Sequence, residues 1–175
     1  LSDPSGVDPL PGAADALGRL REAGFLLFLF TNQSGIGRGY FPAEAADACN
    51  RETERRLGIL PGFDGIRVAP ERPDEPPVYR KPSPRYLLET IAERDLDPSL
   101  CWMVGDRESD VEAGLRAGVG AARIGDPSAE KSDGVPVFPD VAAFVDWLLR
   151  RSFGGRRRGG GPGPSPYSLD FSRAT

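Results

Sequence analysis

The chain has 175 residues, 39% hydrophobic and 27% charged, the composition of one globular domain long enough to bury a core. Its net charge of −4 is unevenly spread: six Arg and one Asp give residues 150–175 a charge of +5 and leave residues 1–149 at −9. So acidic a body argues against non-specific nucleic-acid binding, which rests on phosphate neutralisation, and no apolar run approaches the ~20 residues of a membrane-spanning helix.

In chain order, residues 12–24 read as a helix with Ala13, Ala16, Leu17, Leu20 and Ala23 on one face and Gly24 as its C-cap. Residues 25–30 are a continuous apolar run, the pattern of a strand buried on both faces of a parallel sheet. A Gly-rich loop is expected over 32–40, then a helix over 42–57 with Pro42 in its first turn. Residues 66–69 read as a short strand, and 70–82, with five prolines, as a loop. A helix over 83–96 is expected to bury Leu87, Leu88 and Ile91. Strand 100–104 ends at Gly105-Asp106, helix 109–117 is closed by Gly118, and strand 119–124 follows. A short strand over 135–138 and an amphipathic helix over 140–151, carrying Phe144, Trp147 and Leu148, complete the pattern. Alternating strands and helices predict an α/β fold, a doubly wound parallel sheet covered on both faces, over residues 1–151. Residues 152–175, rich in Gly, Arg and Pro, cannot bury a core and are expected to be a disordered tail.

The residue inventory narrows the chemistry. There is no histidine, so His triads and His metal ligands are excluded. Cys49 and Cys101 form no C-x-x-C pair, so neither a disulfide framework nor a Cys-based zinc site is expected. No secretory signal opens the chain, and a cytoplasmic location is expected. Carboxylates, Lys, Arg, hydroxyls and backbone groups remain.

Three clusters carry such groups, each after a strand or before a helix. In Thr31-Asn32-Gln33-Ser34-Gly35-Ile36-Gly37-Arg38-Gly39-Tyr40, hydroxyls and amides meet three glycines and a planar cation, which together suit a phosphate. The same run also reads as a polar turn whose glycines serve tight geometry. Arg80-Lys81-Pro82 places a cation pair ahead of a helix N-terminus, where anions are favoured; taken alone it reads rather as a surface ion pair. In Val104-Gly105-Asp106-Arg107-Glu108-Ser109-Asp110, Asp106 ends a strand where a carboxylate can hold Mg²⁺, and Asp110 falls in the first helical turn, where acids are favoured anyway. The ordered set at strand carboxyl ends can surround a phosphoryl group, whose transfer needs mostly positioning and charge neutralisation.

These residues resemble the haloacid dehalogenase (HAD) superfamily, in the branch that contains the heptose bisphosphate and histidinol-phosphate phosphatases. T-N-Q-S-G-I-G-R-G-Y at 31–40, R-K-P-S-P at 80–84 and V-G-D-R-E-S-D-V-E-A-G-L-R-A-G at 104–118 resemble the branch's second, third and fourth motifs. The resemblance covers about residues 1–150 and implies a Rossmann-like HAD fold. It implies that Thr31, Asn32, Gln33 and Ser34 bind the phosphoryl group and substrate oxygens, that Arg38, Arg80 and Arg107 contact substrate, and that Lys81 neutralises phosphoryl and nucleophile. Asp106 would ligate Mg²⁺, and Asp110 would belong to the metal site, orienting the constellation from behind it. Thr31, Lys81 and Asp106 are the expected catalytic residues. The substrate would be a small phosphorylated metabolite, with no nucleic acid, no membrane and a monomeric chain.

The sequence departs from the family pattern twice. The family's first motif, D-x-D-G-[TV] after an apolar strand, supplies the nucleophilic Asp. No such motif occurs here; Asp3-Pro4-Ser5-Gly6-Val7 matches only superficially, and residue 1 is Leu. The expectation is therefore an N-terminally truncated phosphatase lacking its central strand, inactive as it stands. Relatives also carry a C-P-H…C-x-C zinc loop before R-K-P, but residues 69–79 hold neither Cys nor His, and no zinc is expected. A heptose bisphosphate is the leading substrate. The alternatives are histidinol phosphate, a polynucleotide 3′-phosphate, and a pseudophosphatase that binds a phosphorylated ligand without turnover.

Overall fold

The structure, a computed structural model, describes residues 2–128 and 134–153. Five parallel strands and six α-helices make up the described chain: α1 Ala13–Glu22, β1 Phe28–Asn32, α2 Ser34–Gly37, α3 Ala43–Leu57, β2 Gly65–Ala69, α4 Arg85–Glu93, β3 Trp102–Gly105, α5 Glu108–Arg116, β4 Gly120–Ile124, β5 Val137–Phe138 and α6 Val141–Phe153. The α/β class and the parallel pairing follow the sequence pattern. The strands form two sheets rather than one: β1 pairs with β2, and β3-β4-β5 form the other.

The two sheets nevertheless share both covering layers. One apolar cluster joins Ala13, Ala16 and Leu20 of α1 and Phe144, Val145 and Leu148 of α6 to Leu27, Trp102, Val104 and Ala122. The other joins Tyr86 of α4 and Ala117 after α5 to Phe30, Ala69, Met103 and Val119. The second cluster draws on strands of both sheets, the first on β3, β4 and β5 and on Leu27 just ahead of β1, and along β3 Trp102 and Val104 enter one layer while Met103 enters the other. That is the period-2 alternation of a strand covered on both faces. A three-layer α/β/α arrangement results, with β1 and β3 each lacking a second strand partner among the described residues.

Several boundaries move, for local reasons. The strand expected over 25–30 begins at Phe28, because Gly24 at φ +86° turns the chain out of α1 and the Leu27 N–H is taken by Asp64 Oδ2 at 2.7 Å. The loop over 32–40 contains the single turn α2. The helix expected over 83–96 is shortened to Arg85–Glu93, and Leu88 is 47% exposed; Tyr86 and Thr90 are buried instead. Helix α6 runs on to Phe153, so residues 152 and 153 belong to it; the rest of the expected tail lies outside the described residues. No helix among the described residues is long and apolar enough to cross a membrane.

Candidate active site

Strand β1 ends in Phe30-Thr31-Asn32, and β3 ends at Gly105. Lys81, arriving from the loop after β2, lies between them. Its Nζ donates to the Phe30 carbonyl at 2.9 Å and pairs with Asp110 Oδ1 at 2.6 Å. The two side chains are only 10% and 5% exposed, and the ammonium stands 5.0 Å from the centre of the Phe30 ring. One cation thus ties the edge of one sheet to the helix that leaves the other.

The Lys81 backbone is fixed as firmly as its side chain. Asn32 Oδ1 accepts the Lys81 N–H at 3.0 Å, and Asn32 Nδ2 donates to the Lys81 carbonyl at 3.3 Å. Asp110 is held by its second oxygen, which accepts the Arg107 N–H at 3.1 Å. It also needs Gly105: a Cβ there would stand 2.2 Å from Asp110 Oδ2. The pairing of a buried ammonium with a buried carboxylate is costly to separate, since either partner alone would leave an uncompensated charge.

The structure gathers some of the expected residues and redirects others. Thr31, Asn32, Lys81 and Asp110 converge at the strand ends. Asn32 spends both amide atoms on the Lys81 backbone, so it positions the cation. Gln33 donates to Thr31 Oγ1 at 3.2 Å, its own N–H goes to the Ala69 carbonyl, and Ser34 opens α2. Asp110 has a partner on each oxygen, the Lys81 ammonium on Oδ1 and the Arg107 N–H on Oδ2. Asp106 is exposed, with no hydrogen bond or ion pair among the described residues. Arg38 and Arg107 are exposed and Arg80 is half-buried. Arg38 faces the loop after β2: the Asp74 carboxyl there is held down to about 2, first by its hydrogen bond from Arg72, with a smaller contribution from Arg38.

The glycines of the first cluster serve close approach. A Cβ at Gly35 would meet the Phe41 ring at 2.3 Å, and one at Gly37 would meet the Pro70 carbonyl at 2.5 Å. This agrees with the reading of a polar turn under tight geometry. One contributor escaped the sequence reading: the Phe30 carbonyl is a backbone group inside an apolar run and leaves no signal.

A haloacid dehalogenase-like hydrolase family model matches residues 4–118. The chain belongs to this family of haloacid dehalogenase-like hydrolases. Among relatives of this hydrolase, the D-glycero-beta-D-manno-heptose-1,7-bisphosphate 7-phosphatase of Pseudomonas putida is 35% identical over 148 residues, 81% of this chain and 85% of the relative. The protein of the same name from Yersinia pestis is 35% identical over 150 residues, 80% of this chain and 76% of its own. The structure of D,D-heptose 1,7-bisphosphate phosphatase from B. bronchiseptica, complexed with magnesium and phosphate, superposes with a TM-score of 0.77 at 30% identity, covering 86% of this chain and 88% of that one.

HAD phosphatases generally use Mg²⁺, and Asp106 suits it. Mg²⁺ takes one or two carboxylates and completes its shell with water and substrate phosphate, and Asp106 is an exposed, unengaged carboxylate just beyond a strand's carboxyl end. It is one ligand, not a full set: no group of three or more His, Cys, Asp or Glu that could hold a metal occurs among the described residues.

Proposed function

We propose that this HAD hydrolase is built to remove a phosphate from a small sugar bisphosphate, of the D-glycero-D-manno-heptose 1,7-bisphosphate class, in the cytoplasm and as a monomer. The observation that carries the reading is Lys81, whose Nζ spans from the Phe30 carbonyl at 2.9 Å to Asp110 at 2.6 Å, near the carboxyl ends of two strands that each have one partner among the described residues. A cation so placed neutralises charge on a phosphoryl group lodged between those strands. The similarity to heptose bisphosphate phosphatases supports the substrate class.

On this reading each residue has a task. Thr31 Oγ1, Arg38, Arg80 and Arg107 bind substrate oxygens, with Gln33 and Ser34 lining the turn. Asn32 and Asp110 hold Lys81 in place. Asp106 would hold Mg²⁺, which would supply positive charge to the phosphoryl group. The nucleophilic Asp belongs to a strand seated between β1 and β3 and is not among these 175 residues, which contain no D-x-D-G-[TV]. The chain as it stands therefore binds phosphate without turnover.

The test uses two proteins. The 175-residue chain should bind inorganic phosphate by calorimetry, Lys81→Met should lose at least about tenfold in affinity, and neither should release phosphate from the heptose bisphosphate. A longer chain in which a D-x-D-G-[TV] strand precedes Leu1 should release it in the presence of Mg²⁺. Mg²⁺-dependent turnover by the 175-residue chain would overturn the assignment of the nucleophile. Phosphate binding that Lys81→Met leaves untouched would overturn the site.

A further inference from the structure

Residues 70–80 connect β2 to Lys81 and hold four prolines but no Cys or His. Such a loop forms few hydrogen bonds of its own, since proline has no N–H to give. Its first end is pinned where the Pro70 carbonyl crowds Gly37. At its last end the Tyr79 phenol donates to Glu89 Oε2 at 2.9 Å, and the Arg85 guanidinium lies 4.9 Å from the Tyr79 ring centre. Within the loop, the Arg72 N–H donates to Glu75 Oε2 at 2.9 Å and the Arg72 side chain pairs with Asp74. Those bonds stay inside the first half of the loop.

Glu71 is different, because its carboxylate crosses the loop. Glu71 Oε1 accepts the Tyr79 N–H at 2.5 Å and the Arg80 N–H at 3.3 Å, eight and nine residues along the chain. Burial pushes the Glu71 carboxyl up, but the backbone N–H groups of Tyr79, Glu71, Arg80 and Val78 together hold it below its ordinary value. Its other oxygen is buried and has no hydrogen-bond partner among the described residues. A half-buried carboxylate turned onto two N–H groups is explained by what those two groups precede: Arg80 and Lys81.

We infer that Glu71 is a positioning residue that closes loop 70–80 on itself and sets the backbone from which Arg80 and Lys81 reach the phosphate site. The inference rests on the proposed role of Lys81 for its functional meaning, but the clamp can be read independently. Trypsin can cut the Arg80–Lys81 bond, whereas the bonds after Arg72 and Lys81 are followed by proline. Cleavage after Arg55 and Arg56 in α3 reports the rest of the fold.

In the full chain, Glu71→Ala should raise the rate of cleavage after Arg80 about tenfold, the scale expected when a charge-assisted clamp opens locally, with cleavage in α3 unchanged. Glu71→Gln keeps an acceptor oxygen for the same two N–H groups and should restore most of the parent's protection. An unchanged rate in Glu71→Ala, an equal rise at both places, or a Glu71→Gln chain cut as fast as Glu71→Ala would overturn the clamp. Saturating inorganic phosphate should slow the parent's cleavage after Arg80. If phosphate gives no protection while the Glu71 effects stand, the phosphate reading fails and the clamp survives.

Discussion

At the scale of single residues, the site depends on a missing side chain as much as on those present. Asp110 can reach Lys81 only because Gly105 has no Cβ, which would stand 2.2 Å from the carboxylate oxygen and 2.4 Å from Asp110 Cγ. Neither group can retreat cheaply: Gly105 ends a strand, and Asp110 is fixed in the first turn of a helix packed on that strand. Gly105→Ala should therefore cost about 2 kcal/mol through overpacking, seen as a lower midpoint in thermal or urea unfolding. It should also weaken phosphate binding, since a displaced Asp110 no longer holds the ammonium between Phe30 and the helix. Unchanged stability and binding would mean that the carboxylate has a second resting place. The sequence displays Gly105-Asp106 plainly, but directs attention to the acid that follows the glycine. What the glycine makes room for lies five residues on, and that distance is crossed only once helix α5 folds back on β3.

At the scale of elements, α3 shows how local charge can be read almost directly from sequence. Glu52, Arg55 and Arg56 are spaced for one helix face, and Glu52 Oε1 accepts from Arg55 at 2.7 Å and from Arg56 at 2.6 Å. The hydrogen bond from Arg55 and then that from Arg56 hold the Glu52 carboxyl down to about 2, from an ordinary 4.5. A lowered carboxyl favours the folded helix above the ordinary value, and that contribution fades as pH falls from 4.5 toward 2. Both Arg residues are exposed, so the gain is small and screened by salt. A carboxyl-detected NMR titration should find Glu52 titrating near 2, and Arg55→Ala together with Arg56→Ala should return it toward 4.5. An ordinary midpoint in the parent would remove the pair. The same local logic made most helices and strands legible. It failed where a distant partner intervenes: Asp64, across the sheet from Leu27, delays the start of β1, and burial of Tyr86 and Thr90 rather than Leu88 decides the face of α4. The motif residues were legible as a set. What each of them contacts was not, because Asn32 and Asp110 meet Lys81 only once the chain has folded.

At the scale of the molecule, the question is what holds two sheets in one layer. The apolar clusters bring them together, and Lys81 links the Phe30 carbonyl of β1 to Asp110 in the helix after β3, but no ladder of backbone hydrogen bonds joins β1 to β3. In amide hydrogen exchange this has a definite consequence. Strand β4 has a partner on each side, β3 and β5, lies against α5, and puts Ala122 and Ile124 into the first apolar cluster. Its amides, Gly120–Ile124, should open only with most of the molecule. Strands β1 and β3 have one partner each among the described residues, so their free edges should exchange faster than β4, even though Phe30 and Met103 are buried. A strand seated between them would pair both edges at once. In a chain extended by such a strand, protection of β1 and β3 should rise toward that of β4, and the unfolding transition should become steeper, because the two halves would then open together. Equal protection of all three strands in the 175-residue chain would mean that packing alone already welds the halves. The proposal that a further strand sits between β1 and β3 would then fail, because neither edge would be left for it to pair with.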